Sequence, residues 1–496
     1  MLNLFLTSLL SNFGLTPTKN QRKVIGELTD FVFSKMQKHT FVLKGYAGTG
    51  KTSIIGALVK TLPEFNFTPV LLAPTGRAAK VLSNYSNQPA YTIHKMIYQL
   101  RSGGDGFTRF SIKENKFENA LFLVDEASMI GDGAGLASAS WGETKSLLDD
   151  LLNYVYSGRN CKLILIGDVA QLPPVGMEIS PALDEDFLFQ AYHLNLEFFE
   201  LNEVVRQTKS SGILKLATSV RDKITAKNYQ LPLLQMAANF KDVFKISGVE
   251  LEDALSDAYS KYGEENCMVI CRSNKRANLF NLQIRARIKW LEEEIASGDF
   301  MMVVKNNYFW LESLPLTPSE GGGNSSPSGR SGGAGFIANG DIVEILRIKG
   351  QEEQYGFRFA NVTVRMIDYP NEPDLEVKIL LESILSDSAS LPSARFRELY
   401  DAISEEYGYE PNRKKRNEMI RNNPYYQALQ VKFANAVTCH KSQGGQWDVV
   451  FVEQGYLTEE MINLEYLRWL YTALTRAKKE LYLVNFNENF FENKII

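Results

Sequence analysis

Short runs of aliphatic and β-branched residues alternate with longer helical stretches in the first third of the chain. Four such runs lie at residues 41–43, 70–72, 121–124 and 163–166. Each run leads directly into a loop of glycine, hydroxyl or acidic residues, as in a parallel sheet whose ligand sites lie at the carboxyl ends of its strands. The pattern therefore predicts one α/β lobe.

The same alternation returns at residues 243–246 and 267–270 and again at residues 449–452 and 481–484, which predicts a second α/β lobe with a long insertion at 289–431. Within the insertion, short apolar runs are joined by turns without helical spacers, which predicts a small β-barrel. A helical section from about residue 393 to residue 427 follows. The predicted barrel strands are residues 300–304, 341–346, 362–364 and 377–379.

Three shorter segments depart from the alternation. Residues 96–119 carry Gly-Gly-Asp-Gly between two candidate strands, which predicts a hairpin insertion in the first lobe. Residues 318–335 are rich in glycine and serine, which predicts a flexible surface loop because such sequence buries little apolar surface. The apolar start, Met-Leu-Asn-Leu-Phe-Leu, lacks a basic flank and a small-residue cleavage site, and we interpret it as a docking helix.

Composition limits the class of protein and its partners. The chain has 496 residues, 44% hydrophobic and 23% charged, as expected of a soluble globular protein of about three domains. The formal net charge of -4 predicts that any nucleic-acid contact comes from a local groove. Cys161, Cys267, Cys271 and Cys439 are scattered, which favours buried thiols in a reducing compartment. No run is apolar enough to span a bilayer, so we expect a cytoplasmic location and no membrane contact.

Residues 45–52 read Gly-Tyr-Ala-Gly-Thr-Gly-Lys-Thr and match the phosphate-binding loop G-x-x-x-x-G-K-[ST] in full. A strand precedes the loop and a helical run follows it, which is the context that the motif requires. Glycine-permitted turns point N–H groups at the phosphates of ATP, Lys51 reaches the outer phosphates, and Thr52 binds Mg²⁺. The predicted nucleotide-binding residues are Gly45, Tyr46, Ala47, Gly48, Thr49, Gly50, Lys51, Thr52 and Ser53.

An acidic pair and a glutamine follow two later strands of the same lobe. Asp125 and Glu126 come directly after residues 121–124, so we expect Asp125 to bind Mg²⁺ and Glu126 to polarise the attacking water. An acidic pair after a strand is usually a solvated turn, and the complete phosphate-binding loop upstream favours the functional interpretation. Gln171 follows the strand at 163–166, where a neutral amide can report the presence of the third phosphate.

Six blocks occur in a fixed order along the chain. They are residues 45–52, Ala-Pro-Thr-Gly-Arg at 73–77, Asp-Glu-Ala-Ser at 125–128, Gly-Asp-Val-Ala-Gln at 167–171, Thr-Cys-His-Lys-Ser-Gln-Gly at 438–444 and Thr-Ala-Leu-Thr-Arg at 472–476. In this order they resemble the superfamily 1 DNA helicases, and the second and fourth blocks favour the RecD/Dda-like 1B branch. The resemblance implies an ATP hydrolase that unwinds DNA, moves 5′ to 3′ on a single strand, and contains two RecA-like P-loop NTPase lobes.

The resemblance also assigns roles that the residues alone leave open. Arg206 and Arg476 each lie in a block where this class carries a nucleotide-sensing arginine, the later one reaching across from the second lobe. Taken alone, each is an ordinary surface arginine. Gln21 matches the adenine-reading glutamine upstream of the phosphate-binding loop. The implied catalytic residues are Lys51, Glu126, Gln171, Arg206 and Arg476.

Three further segments match the family's motifs along the single-strand groove, and relatives place a strand-separating pin in the hairpin insertion. Hydroxyls, amides and a few cations suit sequence-independent phosphate contact. Alone, His94 and His440 would be structural histidines, and the aromatic residues of the pin are explained equally well by packing within the hairpin. The chain departs from the family at Gly445-Gln446, where relatives often carry an acidic residue. The implied nucleic-acid contacts are Pro74, Thr75, Gly76, Arg77, Thr92, His94, Phe107, Phe110, Thr438, His440 and Lys441.

The implied organisation is a first lobe, a divided second lobe, and an inserted SH3-like β-barrel with a helical subdomain. The predicted bounds are 1–208 for the first lobe with its pin at 96–119, 209–288 and 432–496 for the second, and 289–431 for the insertion, which contains the 318–335 loop. We expect a nucleoid-associated monomer that acts on single-stranded and tailed duplex DNA in replication, recombination or repair. A single-strand-binding or replication protein is a candidate partner.

Three alternatives stay open at this stage. An RNA helicase of the same superfamily would use similar phosphate contacts. A non-unwinding ATP-dependent switch or clamp would bind a partner protein through the insertion. A P-loop kinase acting on a small molecule would give no reason for a second lobe with its own arginine block.

Overall fold

The computed structural model describes residues 1–102, 108–131, 146–205, 211–234, 240–307, 309–312, 337–369 and 372–491. Arg206, Phe107 and the predicted flexible loop at 318–335 lie outside these residues. Within the described part of the chain, no helix has the length and apolar character needed to cross a membrane.

The first part of the chain forms strands and helices in close alternation. Its strands are β1 (His39–Gly45), β2 (Thr68–Ala73), β3 (Ala90–Thr92), β4 (Tyr98–Ser102), β5 (Thr108–Ile112), β6 (Ala120–Val124), β7 (Lys162–Gly167) and β8 (Asn195–Leu201). Its helices are α1 (Leu2–Phe13), α2 (Lys19–Phe33), α3 (Lys51–Thr61), α4 (Gly76–Ser86), α5 (Ile93–Ile97), α6 (Leu147–Ser157) and α7 (Glu185–Tyr192).

The first sheet is parallel, with strand order β3-β2-β6-β7-β1-β8. Its central strands β6 and β7 are buried along their whole length. Continuous burial of this kind is expected for a parallel sheet with helices on both faces. The sequence prediction of an α/β lobe is confirmed, and β4 and β5 form the predicted antiparallel hairpin.

Helix α1 packs on the first lobe, as the docking-helix interpretation predicts. Phe5 and Leu9 are fully buried, and Phe5 makes edge-to-face contacts with Phe33 and Phe65. The next helix begins with a capping box, because the Thr18 side chain accepts from the Gln21 N–H while the Gln21 side chain accepts from the Thr18 N–H. These contacts fix the start of the chain against α3 and the strands beneath it.

The remaining chain forms a second sheet and a barrel. Its strands are β9 (Val243–Ile246), β10 (Cys267–Cys271), β11 (Phe300–Val303), β12 (Ile342–Gln354), β13 (Phe357–Met366), β14 (Leu375–Leu380), β15 (Leu429–Phe433), β16 (Ala436–Thr438), β17 (Trp447–Glu453) and β18 (Ala477–Val484). Its helices are α8 (Gly212–Thr225), α9 (Leu251–Tyr262), α10 (Asn274–Arg287), α11 (Phe309–Glu312), α12 (Ser393–Glu406), α13 (Arg413–Arg421), α14 (Cys439–Ser442) and α15 (Leu464–Leu474).

The second sheet is also parallel, with order β16-β10-β17-β18-β9, so the second α/β lobe is confirmed. Strands β11 to β15 close into a barrel with its own apolar core, which confirms the inserted barrel. The closing strand β15 lies beyond the helical section and runs parallel to β14. It crosses residue 431, where the insertion is predicted to end, and the domain bounds stay predictions.

Candidate nucleotide and nucleic-acid sites

The phosphate-binding loop connects the end of β1 to the start of α3. Gly48 and Gly50 have φ values of 76° and 89°, a backbone conformation that glycine adopts without strain. A Cβ atom at position 50 would also lie 2.3 Å from Nε2 of Gln21, so a larger residue there would displace the Gln21 amide. Lys51 lies at the start of α3, and its Nζ atom donates to the carbonyl oxygens of Gly45 and Tyr46.

The predicted carboxylates lie at the end of β6, two strands away from the loop. Asp125 accepts a 2.7 Å hydrogen bond from the Tyr85 hydroxyl and another from the N–H of Glu126. Glu126 has a φ of 54°, in the left-handed region. Burial raises the pKa of the Glu126 carboxyl, and the charge of Arg476 opposes that shift. A carboxylate with a raised pKa is suited to accept a proton during hydrolysis.

Gln171 is buried beside the same strand ends. Its side chain is 7% exposed, and Oε1 has no hydrogen-bond partner among the described residues. A buried carbonyl oxygen without a partner is costly unless water or a ligand satisfies it. The amide is therefore available to a phosphate-bound water or to the nucleotide, as the sequence predicts.

Arg476 reaches the site from the second lobe. The guanidinium is buried and donates to the carbonyl oxygens of Thr472 and Gly445 at 3.1 and 3.2 Å. Its Nη1 atom lies 3.9 Å from Oε1 of Glu126, across the boundary between the two sheets. The structure thus brings together the later predicted arginine and the predicted water-polarising carboxylate.

A hydrogen-bond relay that the sequence does not predict crosses the same boundary. The hydroxyl of Tyr471 accepts from the N–H of Ala47 in the phosphate-binding loop at 2.8 Å and donates to Asp168 at 2.7 Å. Asp168 is buried, and burial raises its pKa while Lys51 opposes the shift. One tyrosine of the second lobe therefore connects two nucleotide-binding segments of the first.

The backbone of Leu172 provides two further bonds between the lobes. Its N–H donates to the Thr472 hydroxyl at 3.0 Å, and its carbonyl oxygen accepts from Nε2 of Gln443 at 2.7 Å. Both partners lie in blocks of the second lobe that carry predicted functional residues. The segment after β7 is therefore held on both sides by the second lobe.

Gln21 lies next to the phosphate-binding loop, as the sequence prediction requires. Its Nε2 atom donates to the carbonyl oxygen of Thr49 at 2.9 Å, and its Oε1 atom accepts from the N–H of Thr18 at 3.0 Å. An amide carries two N–H donors and a carbonyl oxygen with two lone pairs. One donor and one lone pair of Gln21 therefore remain for contact with a base.

The residues fit a magnesium-bound nucleoside triphosphate. The cradle is built from glycine positions where a side chain would collide, and Thr52 is exposed at the start of α3. Thr52 and Asp125 would hold Mg²⁺, which shields phosphate charge, and Lys51 would bind the outer phosphates. Among the described residues, no cluster of three His, Cys, Asp or Glu side chains suits an all-protein metal site, so such an ion would keep ligands from nucleotide and water.

Thr75 and Thr92, two of the predicted nucleic-acid contacts in the first lobe, cap helices with their hydroxyls. Thr75 accepts from the N–H of Ala78 and caps α4, and Thr92 accepts from the N–H of Lys95 and caps α5. Burial lowers the pKa of His94 to about 4, so the ring is neutral at physiological pH. Pro74 is half-buried directly before Thr75. These hydroxyls have a structural role in addition to any contact with a strand.

Arg77 and Gly76 face the inserted barrel. Arg77 pairs with the buried carboxylate of Asp368 at 3.4 Å and lies over the ring of Trp447 at 4.7 Å. A Cβ atom at Gly76 would lie 1.9 Å from Oδ1 of Asp341, so the barrel approaches the backbone of α4 closely. The predicted phosphate contact at Arg77 is thus occupied by protein groups in this structure.

The predicted nucleic-acid contacts of the second lobe lie at the carboxyl end of β16. Thr438 is the last residue of β16 and the N-cap residue of α14, and His440 and Lys441 are half-buried on that helix. Burial and the charge of Lys432 lower the pKa of Lys441 to about 7. Burial also lowers the pKa of His440. The pin candidate Phe110 lies on β5 opposite Leu100, and its partner candidate Phe107 falls outside the described residues.

Two family models match the chain. Residues 18–232 match the AAA domain model, and residues 433–484 match the UvrD-like helicase C-terminal domain. Together they span just over half of the chain. The first match covers the phosphate-binding loop, and the second covers the blocks that carry Arg476 and His440.

Two similar proteins of known type are helicases. The ATP-dependent DNA helicase dda of Enterobacteria phage T4 is 24% identical over 470 residues, which cover 91% of this chain and 95% of that protein. The ATP-dependent RecD2 DNA helicase of Deinococcus radiodurans is 29% identical over 200 residues, 40% of this chain and 24% of that protein. The chain is therefore similar to two DNA helicases, to dda over nearly its whole length and to RecD2 over part of it.

A solved Pif1 helicase from Bacteroides, in complex with ADP-AlF3 and single-stranded DNA, is similar over 97% of this chain and 95% of that one, with 15% identity and a TM-score of 0.45. The uncharacterized protein R530 of Acanthamoeba polyphaga mimivirus is 23% identical over 523 aligned positions, 93% of this chain and 98% of that one.

Several residues that join parts of the molecule were not predicted from the sequence. Tyr471 directly precedes the last block, Thr472 begins it, and Gln443 lies inside the fifth block. Their position beside matched residues was the signal that the sequence offered. Asp368 lies outside all six sequence blocks, so the sequence gave no signal for it. Its contact with Arg77 depends on how the barrel packs against α4.

Proposed function

We propose that the chain is an ATP-dependent DNA helicase that translocates on single-stranded DNA from 5′ to 3′ and unwinds duplex by opening and closing its two lobes. The observation that carries the proposal is the approach of Arg476, from the second lobe, to Glu126 at the nucleotide-binding edge of the first. Such an arrangement makes hydrolysis dependent on the relative position of the lobes. The direction of movement rests on the family resemblance.

The proposed hydrolytic step uses residues from both lobes. Lys51 binds the outer phosphates, and Thr52 and Asp125 hold Mg²⁺. Glu126 orients the attacking water and takes its proton, which its raised pKa supports. Gln171 contacts the water or the third phosphate through its unpartnered oxygen. Arg476 stabilises charge that develops on the transferred phosphoryl group.

The loop between α14 and β17 is the proposed link between hydrolysis and strand movement. Gly445 accepts a hydrogen bond from the Arg476 guanidinium, and the Trp447 N–H donates to the Arg476 carbonyl at 3.0 Å. On the other side of the loop, a Cβ atom at Gly444 would lie 2.7 Å from Cβ of Ala78 and 3.2 Å from the Thr75 hydroxyl. A displacement of Arg476 is therefore transmitted to the start of α4.

The proposed single-strand track runs from α4 and α5 of the first lobe to α14 of the second. Cations and helix N-termini along this line suit phosphate contact without base recognition. The overall acidic composition means that this local track has to supply the attraction. The proposed domain bounds are those predicted from the sequence, and the proposed setting is a nucleoid-associated monomer.

The test is steady-state ATP hydrolysis with and without single-stranded DNA, run beside unwinding of duplexes that carry only a 5′ or only a 3′ tail. We expect strong stimulation by DNA and unwinding of the 5′-tailed duplex. Lys51→Ala should abolish both activities, whereas Lys60→Ala, on the same helix α3, should leave both near the wild-type rate. Hydrolysis by Lys51→Ala at the wild-type rate would refute the proposed nucleotide site.

The alternatives give different results in the same assays. An RNA helicase would unwind a matching RNA duplex and leave DNA intact. A partner-gated switch would hydrolyse ATP at a rate indifferent to any nucleic acid. Unwinding from a 3′ tail would leave the helicase assignment in place and reverse the proposed direction.

A further inference from the structure

Two cations of the first lobe converge on one carboxylate of the barrel. Lys80 donates to Oδ1 of Asp368 at 3.1 Å and to the carbonyl oxygen of Ile367 at 2.9 Å. Arg77, one turn earlier on α4, contacts the same Oδ1 at 3.4 Å. The Asp368 side chain is 0% exposed. Its other oxygen, Oδ2, has no partner among the described residues.

The contact joins separate parts of the molecule. Asp368 follows β13 of the barrel, whereas Arg77 and Lys80 belong to the first lobe, and Arg77 also lies over Trp447 of the second. At the start of α4, Asp341 of the barrel lies against the backbone of Gly76. Burial and then the proximity of Asp368 raise the pKa of Asp341 well above its usual range.

The same helix carries part of the proposed single-strand track. A DNA phosphate and an aspartate carboxylate are both small anions that arginine and lysine bind through charge-assisted hydrogen bonds. Arg77 and Lys80 are largely buried against the barrel, with side-chain exposures of 14% and 31%. The N–H groups that point at Asp368 are not available to a phosphate row on the solvent side. Strand binding through these cations therefore competes with the barrel contact.

We propose that Asp368 is a clamp that single-stranded DNA displaces. In the DNA-free chain the clamp holds Arg77 and Lys80 against the barrel, and DNA phosphates take over both cations and release the barrel from the first lobe. The inference rests on the proposed function, because it assumes that α4 contacts the strand. It adds that the barrel regulates access to that part of the track.

The first experiment compares two carboxylate-to-amide variants of the barrel. Asp368→Asn removes the clamp charge and keeps the side-chain shape. Glu376→Gln removes an equal charge from an exposed position of β14, where Glu376 pairs with Lys349. Binding of a fluorescein-labelled oligothymidylate is measured by anisotropy without nucleotide, at one fixed salt concentration.

We expect Asp368→Asn to bind the oligonucleotide on the order of tenfold more tightly than wild type, because the strand no longer has to break a charge-assisted contact. Glu376→Gln should bind within about twofold of wild type. Equal affinities for the two variants, or weaker binding by Asp368→Asn, would overturn the clamp. DNA-stimulated hydrolysis by the wild-type chain would then still support the proposed function.

A second measurement does not depend on the folding of Asp368→Asn. Asn84 on α4 and Gln354 at the end of β12 are exposed, and Cys161, Cys267, Cys271 and Cys439 are buried. Fluorophores attached at Asn84→Cys and Gln354→Cys therefore report the separation of the first lobe from the barrel. We expect saturating oligothymidylate to lower the transfer efficiency.

An unchanged transfer efficiency at saturating DNA would overturn the clamp. Binding of the oligonucleotide, seen in the same titration, would still support the proposed single-strand track. Failure of the wild-type chain to bind DNA at all would refute the proposed function, and the clamp with it. The two failures are thereby distinguished by whether the wild-type chain binds the oligonucleotide.

Discussion

Arg476 and Glu126 face each other across the boundary between the two lobes, with 3.9 Å between Nη1 of the guanidinium and Oε1 of the carboxylate. The same guanidinium donates to the carbonyl oxygen of Gly445. One side chain therefore contacts the proposed catalytic carboxylate and the loop between α14 and β17, whose Gly444 packs against Ala78 of α4. A rotation of the second lobe changes the distance to Glu126, while the bond to Gly445 moves with the lobe.

Arg476→Ala should lower the DNA-stimulated kcat for ATP hydrolysis by about a thousandfold, because the transition state loses a cation that the other lobe supplies. Lys478→Ala, two residues along, removes an exposed cation that pairs with Asp448 and should change kcat by less than about twofold. Since Arg476 also bonds within its own lobe, thermal unfolding of each variant is measured alongside. A folded Arg476→Ala chain with normal kcat would contradict the proposed role.

Gln171→Ala separates a catalytic role from a structural one. The Gln171 carbonyl oxygen has no partner to lose, so we expect little change in the free energy of unfolding beyond the small cavity. We expect kcat to fall on the order of a hundredfold with little change in KM, because the amide acts on the water or the third phosphate. Loss of stability without loss of kcat would show that Gln171 is structural.

Most of the predicted strands are runs made mainly of aliphatic and β-branched residues. The buried strands β6 and β7 fit that pattern, whereas β8 includes Glu197 and Glu200 and was missed because it is the edge strand of the first sheet. Strand β15 was missed because Gln430 and Lys432 are polar but buried. Their partners, the N–H of Leu391 and the carbonyl oxygen of Ser386, are apparent only from the fold.

The positions of the phosphate-binding loop, the acidic pair and Gln171 at strand ends were predictable because each segment is continuous in sequence and follows a strand. Contacts between blocks were not predictable from the sequence, because they depend on how the two lobes pack against each other. Tyr471 illustrates this limit, since its hydroxyl joins the phosphate-binding loop to Asp168 although it lies some 300 residues from Asp168 in sequence. Arg77 was predicted to contact phosphate, and its pairing with Asp368 requires the barrel to be in place.

Affinity for single-stranded DNA should fall as pH rises from about 6.5 to about 8.5, because Lys441 loses its charge across a pKa of about 7. Lys441 is cationic below that pKa and neutral above it, so its attraction for phosphate is present only at the lower end. Burial lowers the pKa of His440, so that ring contributes less to the change over this range than an ordinary histidine would. Binding is measured at constant ionic strength.

Lys441→Arg is the control for the pH effect, because a guanidinium stays charged over the whole range. We expect wild type to weaken by roughly fivefold across this range, and Lys441→Arg to stay nearly constant. An equal pH dependence in both proteins would assign the effect to another group.

Gly444 and Gly356 provide a matched pair for testing the link between the lobes. Both have a φ of 72°, so alanine at either position should cost about 1 kcal/mol of unfolding free energy through backbone strain. No atom lies within 4 Å of a Cβ at Gly356, in the hairpin between β12 and β13, whereas a Cβ at Gly444 would lie 2.7 Å from Cβ of Ala78. Only Gly444→Ala therefore pushes the second lobe away from α4.

We expect Gly356→Ala to keep the wild-type stimulation of ATP hydrolysis by single-stranded DNA, with the strain visible only in urea unfolding. Gly444→Ala should lose most of that stimulation while its basal hydrolysis changes less, because the altered contact lies between Arg476 and the start of α4 rather than at the phosphates. If the two variants lost stimulation equally, the loss would follow from backbone strain, and the loop would not couple hydrolysis to the strand. If neither lost it, the contact at Ala78 would be dispensable for coupling.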